Sequence, residues 1–310
     1  MRFKNVLIYP CKNCGYNYSI GGATCSFELA KILSNYFPNV LIYNIVSEPN
    51  IIYNKSFTNI EISTDLDQEY NIENTLTIYG ETVEYNPLNS KYVVRWILAP
   101  ISIYCRNDIY TTWGKNDLVY YFNHERHMAN DNIYKLLSCI HINPDLKNQN
   151  LNRNGTCFTI KKAVYLYSQI NAIHPEDSLS IPYYVTQNDI VNIFNSKYMF
   201  ISYDPLTFLT IMAPLCGCIS IVYKSPTMSK EEWLKTLVIY KYLKDKNEPL
   251  YGIAYGPEEL DFAISTLHLV NEQWSNFQKY LIEKSIIPFV NDMENIDNLE
   301  NNVFNNYINK

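Results

Sequence analysis

The sequence predicts an α/β protein with two parallel-sheet domains, on three observations. The chain opens strand–helix–strand, with VLIY (6–9), SFELAKILSNYF (26–37) and NVLIYNIV (39–46). A polar, turn-rich stretch, NPDLKNQNLNRNG (143–155), interrupts the apolar segments near the middle. A second alternation of strands and helices begins beyond it. A βαβ unit returns its second strand parallel to the first, so each series implies a parallel sheet covered by helices. The chain has 310 residues, more than one core usually organises. The expected domains are therefore 1–148 and 149–285, followed by a polar and loosely ordered tail, 286–310.

Each element has its own justification. In the first helix, Phe27, Leu29, Ala30, Leu33 and Phe37 fall on one stripe at helical spacing. TLTIY (75–79), DLVYYF (117–122) and LSCIHI (137–142) read as further strands, and YVVRWIL (92–98) fits strand or helix. After the polar stretch come strand CFTI (157–160), helix NDIVNIF (188–194), strand YMFIS (198–202), helix TFLTIMAPLC (207–216) and strand CISIVY (218–223). PEELDFAISTLHLV (257–270) is helical, with Pro257 and acidic residues in its first turn, and QWSNFQKYLIEK (273–284) makes another helix.

Composition excludes some classes. Thirty-one acidic residues against 25 basic ones give a charge of -6, which argues against a general nucleic-acid binder. No apolar run reaches membrane-spanning length and no leader pattern opens the chain, so an intracellular (cytoplasmic) protein without a transmembrane segment is expected. Its eight cysteines then read as reduced thiols.

Four motifs carry candidate chemistry. CKNC (11–14) follows a strand, but the helix that would activate a redox pair starts late, and no second C-x2-C completes a zinc site. Gly21 and Gly22 lie between the first strand and first helix, where a loop can admit a phosphate or sugar to free helix N–H groups; a tight turn explains them equally well. The fingerprint G-x-G-x-x-G is absent. Arg153, Lys161 and Lys162 surround Gly155, a set that suits a pyrophosphate or a solvated basic turn. Asp204 precedes Pro205 at the expected start of a helix that ends near Gly217. It reads as an N-cap, and such a carboxylate can also accept from a ribose diol.

Together IGGATCSFELAKIL, ETVEYNPLNSKYVVRWIL, NDLVYYFN, RNGTCFTIKK, IHPEDS, FISYDPLTFLTIMAPLCGC and YGIAYGPEELDFA, spanning roughly residues 6–270, resemble a family of polysaccharide-type GT-B glycosyltransferases of bacteria and large DNA viruses. The resemblance implies two Rossmann-like domains facing across a cleft and a nucleotide-sugar donor, with UDP, GDP and dTDP not distinguished. A glycan or other hydroxyl acceptor would complete the reaction, with no cofactor and no metal. It implies that Gly21 and Gly22 lie near the donor phosphates, that Arg153 with Lys161 or Lys162 binds pyrophosphate, and that Tyr203, Asp204 and Thr207 contact the donor. IHPEDS (173–178) would lie by the nucleobase. Asp204 departs from the family's usual Glu, and Thr210 or Ile211 stands where a second Glu is expected.

Inversion at the sugar would need a base. Glu81, after TLTIY and Gly80, is the first candidate, with a solvated turn carboxylate as its plain alternative. His124 and His127 in NHERH come next, or are surface residues. DLD (65–67) has the letters of a metal-binding D-x-D but no strand before it. Two other classes stay open: an inactive GT-B module that binds glycan or a partner, and a thiol-redox or metal protein built on Cys11 and Cys14.

Overall fold

The structure is a computed structural model and describes residues 2–10, 21–43, 61–63, 73–99, 101, 105–123, 135–160, 170–182, 185–205 and 207–299. The chain divides into two compact units. One is Met1–His141 together with Lys279–Lys310, and the other is Ile142–Gln278.

The first unit is built on seven described strands: β1 (Asn5–Tyr9), β2 (Asn39–Tyr43), β3 (Glu61–Ser63), β4 (Thr75–Gly80), β5 (Tyr92–Ile97), β6 (Leu118–Tyr121) and β7 (Lys135–Leu136). All pair in parallel, in the order β3-β2-β1-β4-β5-β6-β7. The order reverses between β1 and β4. Helix α1 (Gly21–Leu33) lays Phe27, Ala30 and Leu33 on Val6, Ile8, Ile78, Val94 and Trp96. YVVRWIL resolves as a strand because both of its faces are buried, so no solvated face remains to give it helical periodicity. LSCIHI departs from expectation: β7 ends at Leu136, and the residues after it run on without pairing as a strand.

The second unit has five described strands: β8 (Thr156–Thr159), β9 (Leu179–Ser180), β10 (Met199–Ser202), β11 (Ile219–Val222) and β12 (Ile253–Tyr255). They are also parallel, in the order β12-β11-β10-β8-β9, and reverse between β8 and β10. Helix α2 (Gln187–Ser196) starts in a capping box, with Thr186 Oγ1 accepting from Asp189 N–H at 3.1 Å. Helix α3 (Leu209–Leu215) packs on β10 and β11. Two helices not anticipated from the sequence follow, α4 (Lys230–Lys235) and α5 (Tyr240–Lys246), then α6 (Leu260–Thr266) and α7 (Val270–Leu281). The first of these announces itself by Ser229 and Glu232, a second capping box.

Two expected boundaries move. The polar stretch 143–155 belongs to the second unit and is fastened to it: Asn195 accepts from Gln149 N–H at 2.7 Å and donates to Lys147 O at 3.2 Å. The tail expected to be loose is helical through α8 (Ile287–Glu294). Phe289, Val290 and Met293 join the first unit's core, Asp292 accepts from Tyr120 Oη (2.6 Å) and pairs with Lys135 (2.7 Å), and Asp297 pairs with Arg2. Its many Asn and Asp residues conceal an apolar stripe at helical spacing.

Candidate functional site

In an open parallel sheet, ligands bind beyond the carboxyl ends of the strands, at the point where strand order reverses. Backbone N–H groups of the helices following the strands converge there. Each unit has such a point, and the sequence candidates divide by whether they reach one.

In the first unit the reversal lies between Tyr9 and Gly80, the last residues of β1 and β4. Gly21 and Gly22 open α1 at this edge. A Cβ at Gly21 would meet nothing within 4 Å, and one at Gly22 would lie 3.5 Å from Leu98 Cδ1. Neither glycine is demanded by crowding. Glu81 follows Gly80 directly but is not a solvated turn carboxylate, being only 2% exposed. Its Oε2 accepts from Leu98 N–H at 3.2 Å, and the N–H groups of Glu81 itself and of Ala99 also serve the carboxylate. Burial pushes its carboxyl above the usual carboxylate range, against the opposing pull of those backbone donors. The role this geometry gives Glu81 is a clasp between the ends of β4 and β5.

Of the expected pyrophosphate set, Arg153 and Gly155 lie among the described residues of the second unit. Arg153 and Gly155 precede β8, so they lie at the amino edge of the sheet. The guanidinium of Arg153 donates to Phe194 O (2.5 Å) and Lys197 O (2.9 Å) behind α2, to Cys216 O behind α3, and to Asn148 Oδ1 (2.8 Å). It caps the carboxyl ends of two helices, whose orphan carbonyls need donors. Gly217 belongs to the same construction. Cys218 N–H reaches Ala213 O and Gly217 N–H reaches Pro214 O, both at 2.9 Å, the paired bonds of a Schellman turn. With φ at +79°, a Cβ there would also sit 2.7 Å from Asn148 and 2.9 Å from Arg153 Nη2. The glycine between two cysteines is thus a helix exit with no room for a side chain. The cysteines are free thiols, and burial raises that of Cys216 to about 12.

The N-cap reading of Asp204 is corrected. Helix α3 begins five residues later, its N-cap position is Phe208, and no side chain caps it. Thr207 takes the nearer role, its Oγ1 accepting from Leu209 N–H at 3.3 Å. Asp204 is instead an interior carboxylate, 1% exposed, just past the end of β10. Tyr203 is wholly buried; its hydroxyl accepts from Ile173 N–H at 2.7 Å and bonds His174 Nδ1 at 2.7 Å, while the His174 ring stacks on Phe158 at 3.8 Å. Tyr203 therefore fastens the 173–178 segment to the sheet face, joining two of the motifs singled out in the sequence.

What does gather at the second reversal point is polar and buried. Thr159 and Ser202 are register partners at the ends of β8 and β10, and Asp204 follows. Ser202 Oγ donates to Asp204 O at 2.9 Å, and Thr159 Oγ1 meets no partner among the described residues. Buried polar groups at strand ends are informative because burial without bonding costs stability. Beyond the neighbouring strand end, an open surface depression is lined by Lys224, Ser225, Thr227, Ser229 and Glu232 with Pro226 and Met228. Trp233, just after this wall, donates Nε1–H to Pro205 O at 2.9 Å and so ties the Asp204 turn to it.

A buried ion pair and a buried histidine–carboxylate hydrogen bond gave no sequence signal, because their partners are far apart in the chain. Arg95 is 0% exposed and bonds Asp117 at 2.7 Å. His141 Nδ1 lies 2.7 Å from Glu28 Oε2 on α1. His124, His127, Lys161, Lys162, Cys11 and Cys14 lie outside the described residues. Among the described residues, no group of three or more His, Cys, Asp or Glu is placed to hold a metal ion.

No family model matches the chain, and no curated protein matches it.

Proposed function

We propose that the chain is a glycosyltransferase of GT-B type, taking a nucleotide-sugar donor at the carboxyl edge of the second sheet and a glycan or other hydroxyl acceptor on the first unit. The observation that carries this reading is the cluster Thr159, Ser202 and Asp204 at the second reversal point, linked through Pro205 and Trp233 to an open depression edged by Ser225, Thr227 and Ser229. The motif resemblance and the two parallel sheets support it. The hydroxyls of Ser225 and Thr227 and the ammonium of Lys224, which in this structure pairs with Glu258, offer donors to a diphosphate and a sugar. Transfer by this route stabilises the departing diphosphate with protein donors and requires no metal. Arg153 has no part in it, and Glu81 acts as a clasp rather than as the acceptor base.

The test is a panel of UDP-, GDP- and dTDP-sugars, followed by melting and by release of nucleoside diphosphate, with and without EDTA. A bound donor at about a hundred times its Kd adds roughly 2.7 kcal/mol of stability. One nucleotide class is expected to raise the melting temperature and to be cleaved with EDTA present. No shift with any donor, or activity abolished by EDTA, would overturn the reading. Binding without cleavage would leave the inactive-module alternative in its place.

A further inference from the structure

Four described residues other than glycine have positive φ: Tyr85 (54°), Asn89 (49°), Asn150 (54°) and Asn247 (53°). Three are asparagine, whose short amide tolerates the left-handed region; a tyrosine there is strained. Strain of this kind persists only where the surroundings impose it. Here they do, on both sides of the residue. Tyr85 N–H donates to Thr112 Oγ1 at 3.3 Å, and its carbonyl accepts from Arg95 Nη2. That arginine also donates to Val83 O at 3.0 Å, pairs with Asp117, and lies 4.8 Å from the Tyr79 ring and 5.3 Å from the Trp113 ring. Trp113 Nε1–H adds a second donor to Val83 O at 3.2 Å.

All this fixes a backbone whose side chain packs little: Tyr85 is 64% exposed, the largest exposure among the described large hydrophobic residues. A purely structural turn would favour glycine or asparagine here. The other exposed large hydrophobic described in the first unit is Ile287, on α8, and the charged residues near Tyr85 include its chain neighbour Glu84, whose carboxylate lies 4.0 Å from Arg106. A single ring with a polar rim fits one sugar better than an apolar protein patch.

We propose that Tyr85 is a sugar-stacking residue: the buried Arg95–Asp117 pair holds it rigidly so that its ring can receive the face of a pyranose on the acceptor side of the first unit. This rests on the transferase reading for the name of the ligand's role, not for the binding itself. The ring offers a flat apolar surface to the axial C–H groups of the sugar, and Glu84, with Arg106 held by Asp108 at 2.7 Å, can take its hydroxyls. Because the backbone is already fixed, little ordering entropy remains to be lost on binding.

The experiment uses the full chain with Tyr85→Gly, Tyr85→Asn and Tyr85→Phe. The probes are the methyl glycosides of glucose, galactose, mannose and N-acetylglucosamine and their disaccharides, followed by saturation-transfer NMR. Wild type and Tyr85→Phe are expected to bind at least one probe. The Gly and Asn variants should bind it about tenfold more weakly or not at all. Relief of the left-handed strain should raise the melting temperature of Tyr85→Gly by about 1–3 °C. Nucleotide-sugar binding should be unchanged in all three, so failure here is distinct from failure of the transferase reading. No probe bound by wild type, equal binding by Tyr85→Gly, or a lower melting temperature in that variant would each overturn the proposal.

Discussion

The two edges of the second sheet use their polar residues for opposite purposes. At the amino edge, Arg153 beside Gly155 looks like part of a phosphate cradle in sequence, and Gly217 like a helix exit. In the fold the guanidinium meets four oxygen acceptors, and one glycine gives it room. At the carboxyl edge, Thr159, Ser202 and Asp204 look like ordinary strand ends, yet they bring buried polar groups to the point where strand order reverses. The difference teaches that a cation near a glycine says little until the direction of the strand is known. Helix carboxyl ends, which want cations, gather at one edge; helix amino ends, which want anions, gather at the other.

The largest effect that would break this contrast comes from Arg153→Ala. It strips the helix ends of a charged donor and should cost about 3 kcal/mol or more, read by urea unfolding, since each charged hydrogen bond is worth roughly 1.5–3 kcal/mol. A loss below about 1 kcal/mol would mean that the carbonyls do not need it. Next is Gly217→Ala, which places a Cβ against Asn148 and Arg153 at a left-handed φ. A cost of about 2 kcal/mol is expected, part strain and part displacement of the guanidinium. In the Arg153→Ala background the second part should vanish, so a double-mutant cycle sharpens the assignment.

A smaller effect concerns the first sheet's own carboxyl edge. Glu81 holds its proton more tightly in the folded than in the unfolded chain, because burial raises its carboxyl. Its contribution therefore falls as pH rises from the ordinary carboxylate range through the raised folded value, then levels off. Glu81→Gln should flatten that part of the stability profile and leave transfer within a few-fold of wild type. A loss of about 10²–10⁴ in rate would instead make Glu81 the acceptor base.

The sequence carried the parallel α/β class because βαβ order is local: VLIY, the Phe27–Leu33 stripe and NVLIY lie within forty residues. What it concealed depends on contacts between distant positions. β12 is three residues between two glycines, too short to show a period. Helix α8 hides its apolar stripe in an Asn- and Asp-rich tail. Asp204 failed as a cap because α3 starts after Phe208, although Asp-Pro is a favourable local start. Arg153 misled because its neighbours in sequence do not reveal that its guanidinium turns to the carbonyls behind two helices distant along the chain. Tyr203 lay in a recognisable motif, but only the fold reveals that its hydroxyl holds Ile173 and His174.

The central claim is that ligand binds the carboxyl edge of the second sheet, and calorimetric titration of the preferred nucleoside diphosphate tests it most directly. Wild type, Asp204→Asn, Lys224→Ala and Arg153→Lys should be compared at equal folded fraction, each checked by a melt. The carboxyl-edge variants are expected to bind ten- to a hundredfold more weakly, the loss of one charge-assisted contact. Arg153→Lys should bind as wild type does. The reverse pattern, with affinity lost in Arg153→Lys and kept in both carboxyl-edge variants, would contradict the account.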